Sequence, residues 1–343
     1  MRVAMYYNNS DVRLEEMPVP RIGPGELLVK VIASGICGSD VMEWYRIRKA
    51  PLVLGHEIAG EIVEVGEGVD RYQVGDRVFV SHHVPCNTCR YCRAGNHTVC
   101  HTLHTTNFDP GGFAEYLRVP RINVDRGTFV LPGEVSFEDG AFVEPLACVV
   151  RGQRVAGFRP GQSVLVIGSG ISGILHILLA RASGSGRIIA TDISEYRRAR
   201  AKELGADIVF DAREDIPARV REVNDGYLAD LVIVCAASLP AFKQGLDSVD
   251  RGGTVLCFAT IDPGVEIPLK VNEFWRNSIT VLPSYANSPY DAEVALELIR
   301  AGRVKVGPMV THRLGLAETG YGFKLVAGML KEDSLKVIIE PQR

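Results

Sequence analysis

The chain has 343 residues, of which 46% are hydrophobic, and a formal net charge of −3 at pH 7. This length suits two domains of ordinary size, because single hydrophobic cores stop growing at shorter lengths. The slight acidity and the interspersed charges argue against general binding of nucleic acid or of anionic membranes.

Neither a membrane span nor an export signal is predicted. No apolar run reaches the roughly 18 residues that a spanning helix needs, and the N-terminus lacks the apolar stretch and cleavage site of a signal peptide. We therefore expect a cytoplasmic protein. Its eight cysteines are better explained as metal ligands or buried thiols than as disulfides.

The first part of the chain predicts a β-rich domain. Short strand patterns bounded by Gly, Pro or Asp occur at ELLVKVIAS, EIAGEIVEVG, DRVFVSHHV and GGFAEYLRVP. We assign residues 1–152 to this domain. The segment 286–343 holds two helical patterns and a closing strand, which are too few for a domain, so we expect it to return to the first domain.

Residues 153–285 predict an α/β domain with a doubly wound parallel sheet. Continuous Val/Ile/Leu strands such as SVLVIGSG, RIIATDIS and ADLVIVCAA alternate with helical patterns. Strands of this kind are typical of parallel sheets that helices cover on both faces.

Four cysteines within fifteen residues predict a closed metal site. The spacing CxxCxxC followed by seven residues and a fourth cysteine lets four thiolates surround one tetrahedral Zn²⁺, with no position left for substrate. An iron–sulfur site is the alternative, but the last gap is too long for a bacterial ferredoxin and His101 stands in place of its proline. The predicted structural zinc ligands are Cys86, Cys89, Cys92 and Cys100.

A dinucleotide site is predicted at SVLVIGSGISGILHILLARASG. Gly168, Gly170 and Gly173 have GxGxxG spacing between a strand and an apolar helix, whose first amides, at Ile171 and Ser172, would face the pyrophosphate. GxGxxG alone is weak evidence. Here Asp192 also ends the next strand, where it would accept hydrogen bonds from the ribose hydroxyls.

An acidic residue at that strand end favours NAD over NADP, because it repels a 2′-phosphate. Arg197 and Arg198 complicate this prediction, since a nearby guanidinium could hold the phosphate. The alternative is that both are exposed charges on the following helix, with Arg197 stacking on the adenine.

A second, open metal site would need ligands from other segments. SGICGSD and LGHEIAG offer Cys37, His56 and Glu57, and AFVEPLACVV adds Glu144. A catalytic zinc keeps an exchangeable position, where the pKa of a bound water falls to about 7. Spacing alone is weak evidence for this set.

The sequence resembles the zinc-containing medium-chain dehydrogenases, in particular the sorbitol, threonine and galactitol-phosphate dehydrogenase branch. The resemblance rests on CGSD, GHEIAGEIVEVG, VGDRV, the four-cysteine lobe, GGFAEY, EPL, the GxGxxG segment with TDIS, and KELGAD. It implies a GroES-like catalytic domain, a Rossmann domain, a cleft between them, and a homodimer or homotetramer.

The resemblance also implies roles for the residues of the open site. Cys37 and His56 would hold the zinc with Glu57 or Glu144 and a water, and the two glutamates would exchange during turnover. Alternatively, Glu57 orients His56 or pairs with a buried arginine. Ser39 would take the proton of the alcohol.

The usual next proton carrier of this family is a histidine, and Met42 occupies its position here. The relay would then run through the ribose hydroxyls, Glu144 and water, or through another histidine. His104 is one candidate, and His82 and His83 are weaker ones. Tyr285 resembles a substrate or nicotinamide contact, with Ser284 where the sorbitol dehydrogenase pattern has arginine.

The resemblance predicts a small-molecule alcohol as substrate. A polyol, a cyclic polyol or a sugar-alcohol phosphate is favoured, and threonine or a vicinal diol is the alternative. Threonine would call for a cation near the site, and the sequence identifies none.

A non-catalytic dinucleotide-binding protein is disfavoured because the Cys37–His56 pair and the lobe are intact. A zinc-ribbon module that binds nucleic acid is disfavoured because the lobe has only scattered basic residues such as Arg90 and Arg93.

Overall fold

The computed structural model describes all 343 residues and divides them into two compact units. The first unit comprises Met1–Ala147 and Ala286–Arg343, and the second comprises Cys148–Tyr285. The division falls after Ala147, within the helix Val143–Val155, and the boundary predicted after residue 152 lies in the same helix. None of the helices has both the length and the apolar composition needed to cross a lipid bilayer.

The first unit is built mainly on antiparallel strands, with one parallel pair near its C-terminus. Its strands before the division are β1 (Arg2–Asn8), β2 (Asp11–Glu16), β3 (Leu27–Gly35), β4 (Leu52–Val53), β5 (Glu57–Val65), β6 (Arg77–Val80), β7 (Tyr116–Val119) and β8 (Thr128–Val130). Its short helices are α1 (Glu43–Arg46), α2 (Arg90–Arg93), α3 (His101–Thr105), α4 (Arg121–Gly127) and α5 (Phe137–Ala141), and α6 (Val143–Val155) leads into the second unit.

The second unit is a six-stranded parallel sheet with helices between its strands. The strands are β9 (Val164–Ile167), β10 (Ile188–Asp192), β11 (Ile208–Asp211), β12 (Ala229–Val234), β13 (Val249–Cys257) and β14 (Thr280–Pro283). The helices are α7 (Ile171–Ala182), α8 (Glu195–Glu203), α9 (Ile216–Val223), α10 (Leu239–Asp247) and α11 (Val271–Asn277). The strand order β11-β10-β9-β12-β13-β14 is that of a doubly wound fold.

Alternation along the central strands explains why both faces of this sheet are covered. Leu165 and Ile167 of β9 join one buried apolar cluster, while Val164 and Val166 join another. Since successive side chains of a strand point to opposite faces, a continuous apolar run supplies two cores at once. The α/β fold class that the sequence predicts, a β-rich unit with a doubly wound parallel one, is confirmed.

The C-terminal segment joins the sheet of the first unit. It contains α12 (Pro289–Arg300), β15 (Val310–Gly315), α13 (Thr319–Val326) and β16 (Lys336–Glu340). The resulting seven-stranded sheet has the order β15-β16-β3-β5-β6-β8, with β7 paired to β3. Gly35 at the end of β3 pairs with Glu57 at the start of β5 and with Ile338 of β16. Three strands that are distant in sequence therefore meet at one point.

Candidate active site

The meeting point of β3, β5 and β16 carries a group of metal-ligand side chains. Cys37 follows β3, while His56 and Glu57 lie at the start of β5, and one ligand atom from each lies within 4.8 Å of the others. A thiolate, an imidazole and a carboxylate are ligands that Zn²⁺ accepts. Three of the four ligands predicted for the open site therefore come together, and this set fits zinc.

Asp40 contacts two members of this group. Its carboxylate is fully buried, accepts a hydrogen bond from the backbone N–H of Cys37 at 3.1 Å, and lies 3.3 Å from Nδ1 of His56. A carboxylate on one imidazole nitrogen fixes the ring and leaves the other nitrogen for a metal. Asp40 belongs to the CGSD motif, yet its role did not follow from the motif alone.

Neighbouring charges explain the pKa values of His56 and Asp40. Burial by itself would lower the pKa of His56, but the charges of Asp40 and Cys37 outweigh it and raise the pKa well above its ordinary value. Burial would raise the pKa of Asp40, yet His56 and Arg46 hold it below the ordinary value. The site is therefore built around an ionised, buried carboxylate.

Glu57 pairs with a buried lysine. Its side chain is 1% exposed and forms a salt bridge with Nζ of Lys336, the first residue of β16, which is fully buried. The same Nζ donates to the carbonyl oxygen of Ile36 at 3.3 Å. Gly35 makes room for the pair, because a Cβ at this position would come within 2.6 Å of Nζ. A buried arginine is the partner that the sequence suggests as one alternative for Glu57, and the structure has a lysine.

Glu144 lies apart from the three close ligands. It is buried in the first turn of α6, and Asn287 donates to its Oε1 at 3.2 Å. Its carboxylate is not part of the Cys37, His56 and Glu57 group.

Ser39 has a cationic neighbour that the sequence analysis missed. Arg46 of α1 donates from Nη2 to Oγ of Ser39 at 3.1 Å and from Nε to its carbonyl oxygen at 3.0 Å. The same guanidinium lies 3.6 Å from Asp40 and is 15% exposed. The sequence identifies no cation for this site, whereas the structure places Arg46 there, because the helical turn of α1 brings it back to the CGSD loop.

The three histidines considered as relay groups have different surroundings. The ring of His82 lies 4.7 Å from the ring of His56 and 3.8 Å from that of His83. Burial lowers the pKa of His83 to about 3, and it lowers the pKa of His82 as well. His104 is bonded through Nε2 to the carbonyl oxygen of Thr98 at 2.9 Å, within the cysteine lobe.

The four cysteines of the lobe converge as their spacing predicts. The four Sγ atoms lie within 4.8 Å of one another. The Sγ–Sγ distance is 4.0 Å for Cys86 and Cys92 and 3.5 Å for Cys89 and Cys92. A tetrahedral zinc with Zn–S bonds of about 2.3 Å requires sulfurs ~3.8 Å apart. The hydroxyl of Thr88 and nearby backbone N–H groups lower the pKa of Cys86 to about 5. The lobe therefore fits a closed, four-sulfur zinc.

The glycine-rich loop of the second unit has the shape that a pyrophosphate requires. Gly168 has φ of +93°, and a Cβ there would lie 2.9 Å from the backbone nitrogen of Ala236. A Cβ on Gly173 would overlap the carbonyl oxygen of Gly168, whereas one on Gly170 would meet nothing within 4 Å. The open space at Gly170 faces the first turn of α7, with Ile171 and Ser172, where backbone N–H groups lack helical partners.

Asp192 closes the other side of this loop. It ends β10, is 6% exposed, and accepts hydrogen bonds from the backbone N–H of Ser169 and of Ser194, both at 2.8 Å. One oxygen is used in each bond, so each keeps a lone pair for a ribose hydroxyl.

The arginines of α8 differ in their surroundings. Arg198 donates to backbone carbonyl oxygens and pairs with Asp211, while Arg197 is exposed. Tyr285 is the last residue of the second unit and is 51% exposed.

Two parts of the chain match known families. Residues 23–126 match the family described as "Alcohol dehydrogenase GroES-like domain", and residues 172–301 match the family described as "Zinc-binding dehydrogenase". The matches cover the metal-ligand group and much of the dinucleotide-binding unit.

Curated relatives match along the whole length. Sorbitol dehydrogenase of Bacillus subtilis is 32% identical, with 100% of this chain and 98% of the relative covered. L-threonine 3-dehydrogenase of Caldanaerobacter subterraneus is 34% identical, with 99% and 98% covered. A zinc-binding dehydrogenase from Sinorhizobium meliloti, solved with NADP, superposes with a TM-score of 0.89 at 28% identity, with 99% of each chain covered.

These two matches place the chain in a class of protein, the zinc-binding dehydrogenases that have a GroES-like unit and a dinucleotide-binding unit. The chain belongs to the zinc-dependent alcohol dehydrogenase family. It is an oxidoreductase whose cofactors are zinc and a nicotinamide dinucleotide.

Proposed function

We propose that this enzyme interconverts a secondary alcohol of a polyol, cyclic polyol or sugar alcohol with the ketone, using NAD. The observation that carries the proposal is the convergence of Cys37, His56 and Glu57 beside Ser39. The resemblance to the sorbitol dehydrogenase branch supports the substrate class, since a carboxylate near the metal suits substrates with adjacent oxygens.

Cys37 and His56 would hold the catalytic zinc, and Asp40 would fix the ring of His56. When bound, the zinc would supply Lewis acidity that makes a substrate hydroxyl far more acidic. The third protein ligand is Glu57 or Glu144. Proximity favours Glu57, whereas the charge of Lys336 already balances that carboxylate and so favours Glu144.

Ser39 would accept the proton that the substrate hydroxyl loses. Its Oγ receives one hydrogen bond from Arg46, which leaves a second lone pair for the substrate and its own O–H for the next carrier. The positive charge of Arg46 also stabilises a nearby alkoxide oxygen. Met42 cannot carry the proton onward, so the ribose hydroxyls, Glu144 or His82 would do so.

In the dinucleotide site, the loop of Gly168, Gly170 and Gly173 and the start of α7 would bind the pyrophosphate. Asp192 would accept from the ribose hydroxyls, and its negative charge opposes a 2′-phosphate. This supports NAD over NADP. Tyr285 would contact the substrate or the nicotinamide, and Arg197 the adenine.

Arg46 favours a second candidate substrate, threonine. A guanidinium binds a carboxylate through charge-assisted hydrogen bonds, and Nη1 of Arg46 makes none of the bonds to Ser39 or Asp40. Relatives named L-threonine 3-dehydrogenase are as similar to this chain as sorbitol dehydrogenases are.

A substrate panel tests the proposal. Zinc-loaded enzyme is assayed with NAD and with sorbitol, a cyclic polyol, a sugar-alcohol phosphate, 2,3-butanediol and L-threonine, and the reduced nicotinamide is followed by its absorbance. We expect the highest kcat/KM with a polyol. Turnover of none of these alcohols, with both zincs bound, would overturn the proposal.

Arg46→Met serves to separate the two candidates. If threonine is the substrate, this variant lowers kcat/KM for threonine by a factor of about 10 or more relative to the polyols, since one charge-assisted bond is lost. An equal loss for all alcohols would instead assign Arg46 to the proton path.

The resemblance further leads us to propose a homodimer or homotetramer, which sedimentation of the purified enzyme would determine.

A further inference from the structure

The ends of β10 and β11 hold two aspartates side by side. Asp192 and Asp211 are register partners on adjacent parallel strands, and both are the last residues of their strands. Ligands of doubly wound sheets bind outside the carboxyl ends of the strands. Asp192 is proposed above as the ribose contact, whereas Asp211 lies one strand farther out and has no part in that role.

Asp211 fixes the position of Arg198. Nη1 of Arg198 lies 3.0 Å from Oδ2 of Asp211 and donates to the carbonyl oxygens of Asp192 at 2.9 Å and Ile193 at 3.1 Å. A guanidinium nitrogen of this kind has two hydrogens, and here it faces three oxygens. Nη1 of Arg198 is thus occupied by protein oxygens at the strand end where a 2′-phosphate would sit.

Asp211 has a second cationic partner, Arg213. The guanidinium of Arg213 donates to both carboxylate oxygens, at 2.9 Å and 3.2 Å, and is 66% exposed. The backbone N–H of Arg213, with help from both guanidinium charges, lowers the pKa of Asp211 below its ordinary value. The carboxylate is therefore ionised at neutral pH, and the two arginines are distinguished by their burial.

We propose that Asp211 is a determinant of cofactor choice, because it occupies Nη1 of Arg198, which would otherwise be available to a 2′-phosphate. A free arginine next to the ribose is the usual means of accepting that phosphate. The preference for NAD then has two sources, the repulsion by Asp192 and the withdrawal of Arg198. This inference rests on the proposed dinucleotide site.

The test is direct binding of NAD⁺ and NADP⁺ by calorimetry, with no alcohol present. Asp211→Asn keeps the shape of the side chain but removes the negative charge that attracts Arg198. We expect the Kd for NADP⁺ to fall at least about fivefold, as one charge-assisted hydrogen bond can supply, while the Kd for NAD⁺ changes less than about twofold. In Asp211→Asn/Arg198→Ala the gain should disappear, and in Asp211→Asn/Arg213→Ala it should persist.

Asp207→Asn is the matched control. Asp207 immediately precedes β11, accepts a hydrogen bond from the backbone N–H of Ile188, and pairs with Arg181. This variant removes the same charge from the opposite end of the strand, so a gain in NADP⁺ affinity equal to that of Asp211→Asn would mean that overall charge is responsible and would overturn the proposal.

Further results would overturn the role of Asp211 in cofactor choice. The inference is wrong if the gain persists in the variant without Arg198, or if NADP⁺ binding is unchanged in Asp211→Asn. If Asp211→Asn does not fold, Arg198→Ala alone decides: a selective loss of NADP⁺ affinity would show that Arg198 already reaches the phosphate. A wild-type enzyme that binds neither dinucleotide would instead overturn the proposed site, and one that prefers NADP⁺ would overturn the proposed NAD preference.

Discussion

At the scale of single residues, the proposed active site depends on side chains whose polar partners are buried with them. Asp40 and Lys336 are both fully buried, and each is matched by an opposite charge within its own unit. A buried charge without a partner is strongly destabilising. Substitutions at these positions therefore change stability as well as chemistry, and the two effects have to be measured separately.

Lys336→Met tests the buried ion pair. Removing the ammonium leaves the carboxylate of Glu57 buried without its partner, so we expect the free energy of unfolding to fall by about 3 kcal/mol or more. Denaturant unfolding measures this loss. The double variant Glu57→Gln/Lys336→Met should recover a large part of it, and equal losses in the single and double variants would contradict the pairing.

Ser39→Ala tests the proton path. Loss of the hydroxyl should reduce kcat by a factor of about 100, the usual effect of removing a general acid–base group, while NAD⁺ binding stays unchanged. Ser39→Thr is the control, because it keeps a hydroxyl at the same carbon. A kcat for Ser39→Ala equal to that of the wild type would remove Ser39 from the mechanism.

At the scale of elements, helix α7 carries a buried histidine whose position is structural. His176 is fully buried, its Nδ1 lies 3.2 Å from Nε2 of Gln153 in α6, and its ring packs edge-on against Phe258 at 4.5 Å. Burial lowers its pKa to about 3. The helix that presents the dinucleotide loop is thus anchored by a neutral imidazole.

This anchor predicts a pH dependence of stability. The folded pKa of His176, about 3, lies below the unfolded value of about 6.5, so the unfolded chain binds the extra proton and stability falls as pH drops below 6.5. Between pH 7 and pH 5 the wild type should lose about 2 kcal/mol more than His176→Asn. Unfolding of both proteins at both pH values measures the difference, and parallel losses would refute the assignment.

At the scale of the whole molecule, the chain is an enzyme of two units with separate tasks. The first unit contains both metal-ligand groups, and the second contains the glycine-rich loop and Asp192. The four-cysteine group and the Cys37 group come from different segments, so each is expected to bind zinc without the other.

Zinc content tests this independence. We expect two equivalents per chain, one with four sulfur ligands and one with mixed ligands, as measured by metal analysis and X-ray absorption. Cys37→Ala should lose one equivalent and all turnover but keep the four-sulfur signal, and Cys89→Ser should lose that signal. Two sulfur-only zincs, or turnover that survives loss of the mixed site, would contradict the proposed function.

The sequence by itself determined the features that depend on local order. The apolar strands of the second unit, the loop at Gly168 and the lobe at Cys86 follow from periodicity and spacing within short segments, because neighbours in sequence are bound to be neighbours in space. Spacing alone was weak evidence for the open metal site, and the resemblance implied that Cys37 and His56 share it with Glu57 or Glu144.

Only the tertiary structure decided which charges meet. Lys336 lies 279 residues from Glu57, and nothing near either residue marks the other as its partner. The pair forms because strand order places β16 next to β3 and β3 next to β5. In the same way, the register of β10 with β11 brings Asp211 to Arg198. Strand pairing is a non-local property of the whole chain, so local patterns cannot encode these contacts.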